Sequence, residues 1–177
     1  HLTQIKADQA WKLGYTGKGV IVAVLDSGVN TEHTDLKDHL WNGNAQHGYN
    51  VVNPGQNPID DRSHGTHCAG LVCGDGTSTI TTGIAPDALL MTVKIVNRAG
   101  GGSVDKMLSG VQFAVENGAD VLSMSLGFKG SGNNAISTEQ KETIREAFDN
   151  VLAAGVVVCA AAGNDGNDYG APHNVDY

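Results

Sequence analysis

The stretch Val20-Ile21-Val22-Ala23-Val24-Leu25-Asp26-Ser27-Gly28 sets the fold. Residues 20–25 are continuously apolar and rich in β-branched side chains, with no polar alternation. A strand with that pattern is covered on both faces, as in a parallel sheet. The run ends abruptly at Asp26, followed by Ser27-Gly28, a turn-forming pair.

Further strands are expected at residues 89–96, 121–124 and 156–161, the last again continuously apolar, and a short strand at residues 48–52. Helical segments separate them. Residues 6–13 read as a short opening helix with Ala7, Ala10, Trp11 and Leu13 as its apolar positions. Ser63 is expected to cap a helix from His64 to about Cys73. Ser103 caps the next, with Val104, Leu108, Val111 and Val115 as its stripe and Asn117-Gly118 as its stop. Thr138 opens a third, with Ile144, Ala147, Phe148, Val151 and Leu152 facing inward, ended by Gly155. Residues 129–137 read as loop, and the tail from residue 165 suggests no element. Alternating strands and helices predict an α/β fold, a mostly parallel sheet with helices on both faces. Residues 1–177 read as one domain without internal repeat or linker.

The chain has 177 residues, 40% hydrophobic and 17% charged, with 24 glycines and a formal net charge of −8. It can bury a core. The acidic balance argues against nucleic acid or an anionic membrane as partner. No run of about 18 apolar residues suggests a membrane span, and no signal peptide is evident. Cys68, Cys73 and Cys159 are odd in number, so they cannot all pair within the chain. We expect three buried thiols acting as small hydrophobes; a disulfide within a longer parent chain stays open.

Open parallel sheets bind ligands at the carboxyl ends of their strands. Here those ends carry Asp26, Ser125-Leu126-Gly127 and Gly163-Asn164. The sheet rule brings a carboxylate, a glycine-flanked backbone segment and an amide to one edge. His64, at a helix start, would complete an acid–base pair with Asp26. An extended peptide could pair with Ser125-Leu126-Gly127 on one side and Gly100-Gly101-Gly102 on the other.

Asp before His on such a fold makes a family visible. Residues 22–28 resemble the aspartate motif of subtilases, serine proteases with an Asp-His-Ser triad. His64-Gly65-Thr66-His67-Cys68-Ala69-Gly70 resembles their histidine motif, in the form with a cysteine after the second histidine. Met124-Ser125-Leu126-Gly127 is similar to their substrate strand, Ala160-Ala161-Ala162-Gly163-Asn164 to the segment with the oxyanion asparagine, and Gly83-Ile84-Ala85-Pro86 also fits. The resemblance implies a serine endopeptidase in which His64 is general base, Asp26 orients its ring and Asn164 donates to the oxyanion. It implies Ser125, Leu126, Gly127 and Gly100, Gly101, Gly102 as substrate-binding residues, and a polypeptide substrate. Subtilases carry the nucleophile in a Gly-Thr-Ser motif beyond the asparagine, and no Gly-Thr-Ser-Met-like sequence follows Asn164. Gly76-Thr77-Ser78 precedes the substrate strand and reads as coincidence. We therefore expect a partial catalytic domain, ending before the serine and inactive alone, with exposed apolar surface that favours self-association or pairing with a C-terminal part. An extracellular or secreted protein is expected; an intracellular one stays open.

Other readings stand beside these. Asp26 could be a turn former and Asn164 a strand end. His64 and His67, three apart, could hold zinc, although a third ligand and a helical glutamate are missing; otherwise His67 is a buried, hydrogen-bonded residue. His1, His33, His39, His47 and His173 read as surface residues. No cofactor is required. Asp35 and the loop at residues 75–81, with Asp75, match a family calcium site, with Thr77 where Asn is frequent; alternatively Asp35 caps a turn and Asp75 is solvated. Asp60 and Asp61 could favour basic substrate residues, or simply be solvated. The competing function is a non-catalytic peptide-binding module.

Overall fold

The computed structural model of the chain describes residues 2–78, 82–128 and 136–164. His1, His173, residues 79–81 of the expected calcium loop, most of the 129–137 loop and the tail from residue 165 lie outside the described residues.

The apolar run forms β1 (Ile21–Asp26) at the centre of a five-stranded, all-parallel sheet. The other strands are β2 (Gly48–Asn50), β3 (Leu89–Lys94), β4 (Val121–Met124) and β5 (Val157–Ala160), in the order β2-β3-β1-β4-β5. The helices are α1 (Ala7–Lys12), α2 (His64–Cys73), α3 (Val104–Glu116) and α4 (Thr138–Ala153). The unbroken apolar pattern of β1 has a direct cause. Val22 and Val24 pack into one core with Cys68, Ala69 and Cys73 of α2. Ala23 and Leu25 pack into a second core with Met107 and Val111 of α3 and Ile144 and Val151 of α4. β3 divides likewise, with Leu90 on the α2 side and Met91 and Val93 on the other. Helices thus cover both faces, as an α/β fold requires.

Several local expectations are corrected. α1 is shorter than residues 6–13, and Leu13 is exposed. In α3 the buried line is Val104, Met107, Gly110, Val111 and Ala114; Leu108 and Val115 sit at its margins. In α4 only Ile144 and Val151 are buried, and Leu152 is exposed. Ser137 caps α4 through a reciprocal bond with Gln140, a capping box. Among the described residues β5 is an outer strand, with β4 on one side only. Its run is apolar enough for a covered strand, yet Val157 and Cys159 are exposed. Burial depends on neighbours, so the expectation of three buried thiols holds for Cys68 and Cys73 and fails for Cys159. His33, His39 and His47 are partly buried rather than surface residues; the His47 Nδ1 lies 2.9 Å from the Trp41 carbonyl oxygen.

Candidate active site

At the carboxyl end of the sheet, β1 delivers Asp26 and the first residue of α2 is His64. Asp26 is buried, while half of the His64 side-chain surface is exposed. The His64 Nδ1 lies 2.8 Å from both Asp26 Oδ1 and Asp26 Oδ2. The Ser27 N–H donates to Asp26 Oδ1 at 2.6 Å. A carboxylate so held keeps the imidazole proton on Nδ1 and leaves Nε2 as the basic nitrogen. Among the described residues, Nε2 has no hydrogen-bond partner.

Close backbone approach makes this contact. Gly65 packs so tightly on the Gly28 carbonyl that a Cβ would collide with it, and a Cβ there would also come within 3.1 Å of the Asp26 Cβ. Ser63 does not cap α2: it lies in the left-handed region (φ 69°) with no side-chain bond to the helix. Asp60 takes that role. Its Oδ1 accepts from the N–H of Arg62 (2.9 Å) and Ser63 (3.0 Å) and from the Ser27 hydroxyl (2.7 Å). Its Oδ2 accepts from the Thr66 N–H at 2.9 Å and the Thr66 hydroxyl at 2.5 Å. Burial alone would raise the Asp60 carboxyl, but the bonds from Thr66, Arg62 and Ser27 outweigh it and hold it below the usual carboxylate range. The Ser27 hydroxyl in turn accepts from the Gly65 N–H at 3.0 Å. The strand that bears Asp26 and the helix that bears His64 are therefore tied through Ser27 and Asp60.

Sequence reasoning missed a second tie. Lys94, at the end of β3, is almost fully buried. Its Nζ donates to the Ser27 carbonyl oxygen and pairs with Asp61 Oδ1 at 2.7 Å. Both carboxylates of the Asp60–Asp61 pair are engaged with the protein, Asp60 with Ser27, Ser63 and Thr66, and Asp61, whose side chain is still 42% exposed, with Lys94. The available signal was a lysine closing an apolar strand, which cannot be buried without a partner.

Cys68 lies one helical turn below His64, with Sγ 3.8 Å from Nδ1. Burial pushes its thiol up; a bond with the Ser125 side chain opposes this and the Asp26 charge adds to it. Ser125, just beyond β4, is thereby brought to the same place. Asp26, His64 and Cys68 present ligand-type atoms within 4.8 Å of one another. Among the described residues His67 joins no metal-type cluster, and against the expectation of a buried histidine it is exposed. His67 faces a hollow of about 530 Å³ along the flank of α2 turned away from the sheet.

The two expected rims flank β1, one beyond β3 and one beyond β4. The Gly100-Gly101-Gly102 rim is closed by Asn97, whose Oδ1 accepts from the N–H groups of Ala99 and Gly101, both at 3.0 Å. Opposite, Leu126 and Gly127 line an apolar cavity of about 270 Å³ with Met107, Met124, Phe128 and Phe148. Asn164 is exposed and follows β5 at the same edge of the sheet.

A family model described as the subtilase family matches residues 17–177. The chain belongs to the subtilase family. Among its relatives are a subtilisin of Bacillus pumilus, 37% identical over 99% of this chain and 58% of its own length, and subtilisin DY of Bacillus licheniformis, 36% identical over 98% and 57%. A minor extracellular protease, Vpr, of Bacillus subtilis is 38% identical over 92% of this chain and 20% of its own length. The chain spans about half the length of the curated subtilases it matches most fully.

Among the described residues, the subtilase calcium expectation meets two carboxylates, Asp35 and Asp75. Asp35 is buried and its Oδ1 accepts from the Ser78 N–H at 2.5 Å. Asp75 accepts from the Thr77 N–H at 2.8 Å, which holds its carboxyl below the usual range, and its Oδ2 lies 3.7 Å from His39 Nε2. Asp75 and Asp35 are also joined through their main chains, at 3.2 Å. Among the described residues these two carboxylates alone do not supply the six to eight oxygens calcium takes, and residues 79–81 of the loop lie outside the described residues. Thr77 and Ser78 belong to this loop, beyond the far end of the 10-residue α2, about 15 Å of helix from His64.

Proposed function

We propose that this chain is a partial catalytic domain, residues 1–177, of a serine endopeptidase with an Asp-His-Ser triad. The observation that carries the reading is the His64 Nδ1 at 2.8 Å from both oxygens of buried Asp26, on a half-exposed ring. In this reading His64 Nε2 takes the proton of a serine hydroxyl and returns it to the leaving amine. Asp26 holds the tautomer and stabilises the imidazolium. Asn164 donates its side-chain N–H to the oxyanion. The substrate lies extended between Gly100-Gly101-Gly102 and Ser125-Leu126-Gly127, its main chain paired with both.

None of the 177 residues serves as nucleophile in this reading, so the isolated chain does not hydrolyse peptides. The edge of β5, unpaired among the described residues, and the exposed Leu71, Ile84 and Val157 favour association with a further polypeptide segment or a second copy. A relative named as an extracellular protease supports a secreted location.

The test compares the full-length protein with this chain on an unstructured polypeptide and a fluorophosphonate probe. The full-length protein is expected to cleave and to be labelled, and to lose cleavage on His64→Ala. The isolated chain is expected to do neither. A full-length protein that binds peptide without cleaving it would establish a binding module instead. Labelling of the isolated chain would show a nucleophile within it.

A further inference from the structure

Nineteen acidic residues face eleven lysines and arginines in this chain, yet one rim of the cleft reverses that balance. Arg62, two residues before His64, is exposed. Its Nη1 donates to the Arg98 carbonyl oxygen at 3.3 Å, linking the segment before α2 to the loop after β3. Its guanidinium lies against Gly100, 2.8 Å from where a Cβ would stand. Gly100 has φ +83° and holds no side chain over that site. Arg98 is exposed in the same loop.

The carboxylates nearest in sequence are engaged elsewhere. Asp60 is bonded to Ser27, Arg62 N–H, Ser63 and Thr66. Asp61 is paired with Lys94, and Asp26 with His64. Among the described residues, no carboxylate forms a salt bridge with Arg62 or Arg98. Of the five N–H donors of a guanidinium, one of Arg62's is used. The rest form a planar fork suited to a carboxylate.

We infer that Arg62, assisted by Arg98, is a specificity determinant that selects an acidic side chain at one position of the bound polypeptide, the position that runs past Gly100. The inference rests on the peptide-cleft reading above, and it inverts the expectation that Asp60 and Asp61 would favour basic residues. The site is exposed, so the selection is moderate and is weakened by salt.

The test uses the full-length protein and fluorescent alanine-based hexapeptides carrying Glu, Lys or Ala at each position in turn. Affinity is read by anisotropy, and cleavage by mass spectrometry in the same samples; where peptides are cut, kcat/KM replaces affinity. At one position Glu is expected to exceed Lys by about five- to tenfold. That ratio should shrink toward one between about 0.05 M and about 0.5 M salt. Arg62→Glu should reverse it, and Arg62→Lys should keep its sign with a smaller value. Equal response to Glu and Lys, no binding of either, or a ratio unchanged by Arg62→Glu overturns the inference. Selective binding without cleavage refutes hydrolysis and leaves the inference standing.

Discussion

Replacing Ser27 with alanine isolates the tie between the strand that bears Asp26 and the helix that bears His64. Ser27 is fully buried. Its hydroxyl donates to Asp60 Oδ1 at 2.7 Å and accepts from the Gly65 N–H at 3.0 Å. The substitution leaves the buried Gly65 N–H without an acceptor, which costs about 1–3 kcal/mol. It also removes a hydrogen bond to a charged group, worth about 1.5–3 kcal/mol. Asp60 keeps its bonds to Arg62, Ser63 and Thr66, so this second loss falls at the low end. The two effects share one hydroxyl and do not add fully, giving about 2–4 kcal/mol. That is a large part of a domain's usual stability. Urea unfolding followed by circular dichroism measures it, and the Asp60→Asn variant completes a double-mutant cycle with an expected coupling of about 0.5–3 kcal/mol. A Ser27→Ala loss under about 0.5 kcal/mol, or no coupling to Asp60, would refute the claim that this hydroxyl joins β1 to α2.

Gly65→Ala should cost about 1–3 kcal/mol or more, because its Cβ would meet the Gly28 carbonyl rather than a flexible side chain; the His64 ring signals in an NMR spectrum should shift, and an unchanged spectrum contradicts the packing. Asp60 is held below its ordinary value of 3.8, so its contribution to stability is complete above that value and declines as pH falls below it toward the folded-state pKa. Unfolding titrations should therefore show Asp60→Asn flattening the acid limb just below pH 4, and an identical limb in both proteins rejects the assignment. Thiol alkylation at about pH 8 should modify Cys159 first, since it is exposed while Cys68 and Cys73 are buried and burial pushes the Cys73 thiol up to about 12; peptide mapping that finds Cys73 modified in the folded protein at a comparable rate counts against that burial.

Some of the site was legible because its signals are local. An apolar run that ends in Asp-Ser-Gly places a carboxylate at a strand end whatever surrounds it, and a parallel sheet gathers such ends on one edge. Asp26, His64, Ser125 and the Gly100 loop could thus be singled out by position. The capping of α2 could not. Ser63 has the right residue type in the right place, but its left-handed backbone turns that role over to Asp60, which sits where the loop from β1 and the start of α2 converge. The fate of Asp61 was equally hidden, because its partner Lys94 lies 33 residues away in sequence.

The sequence by itself determined the strand and helix order, the two-sided burial of β1 and the chemistry at the strand ends, because these follow from hydrophobic pattern and turn residues within a few positions of one another. The tertiary structure alone decided that Asp60 and Asp61 are engaged with the protein, that β5 is an exposed outer strand among the described residues, and that His64 meets Asp26 at 2.8 Å. Those outcomes depend on distances between segments remote in the chain, which no local pattern encodes.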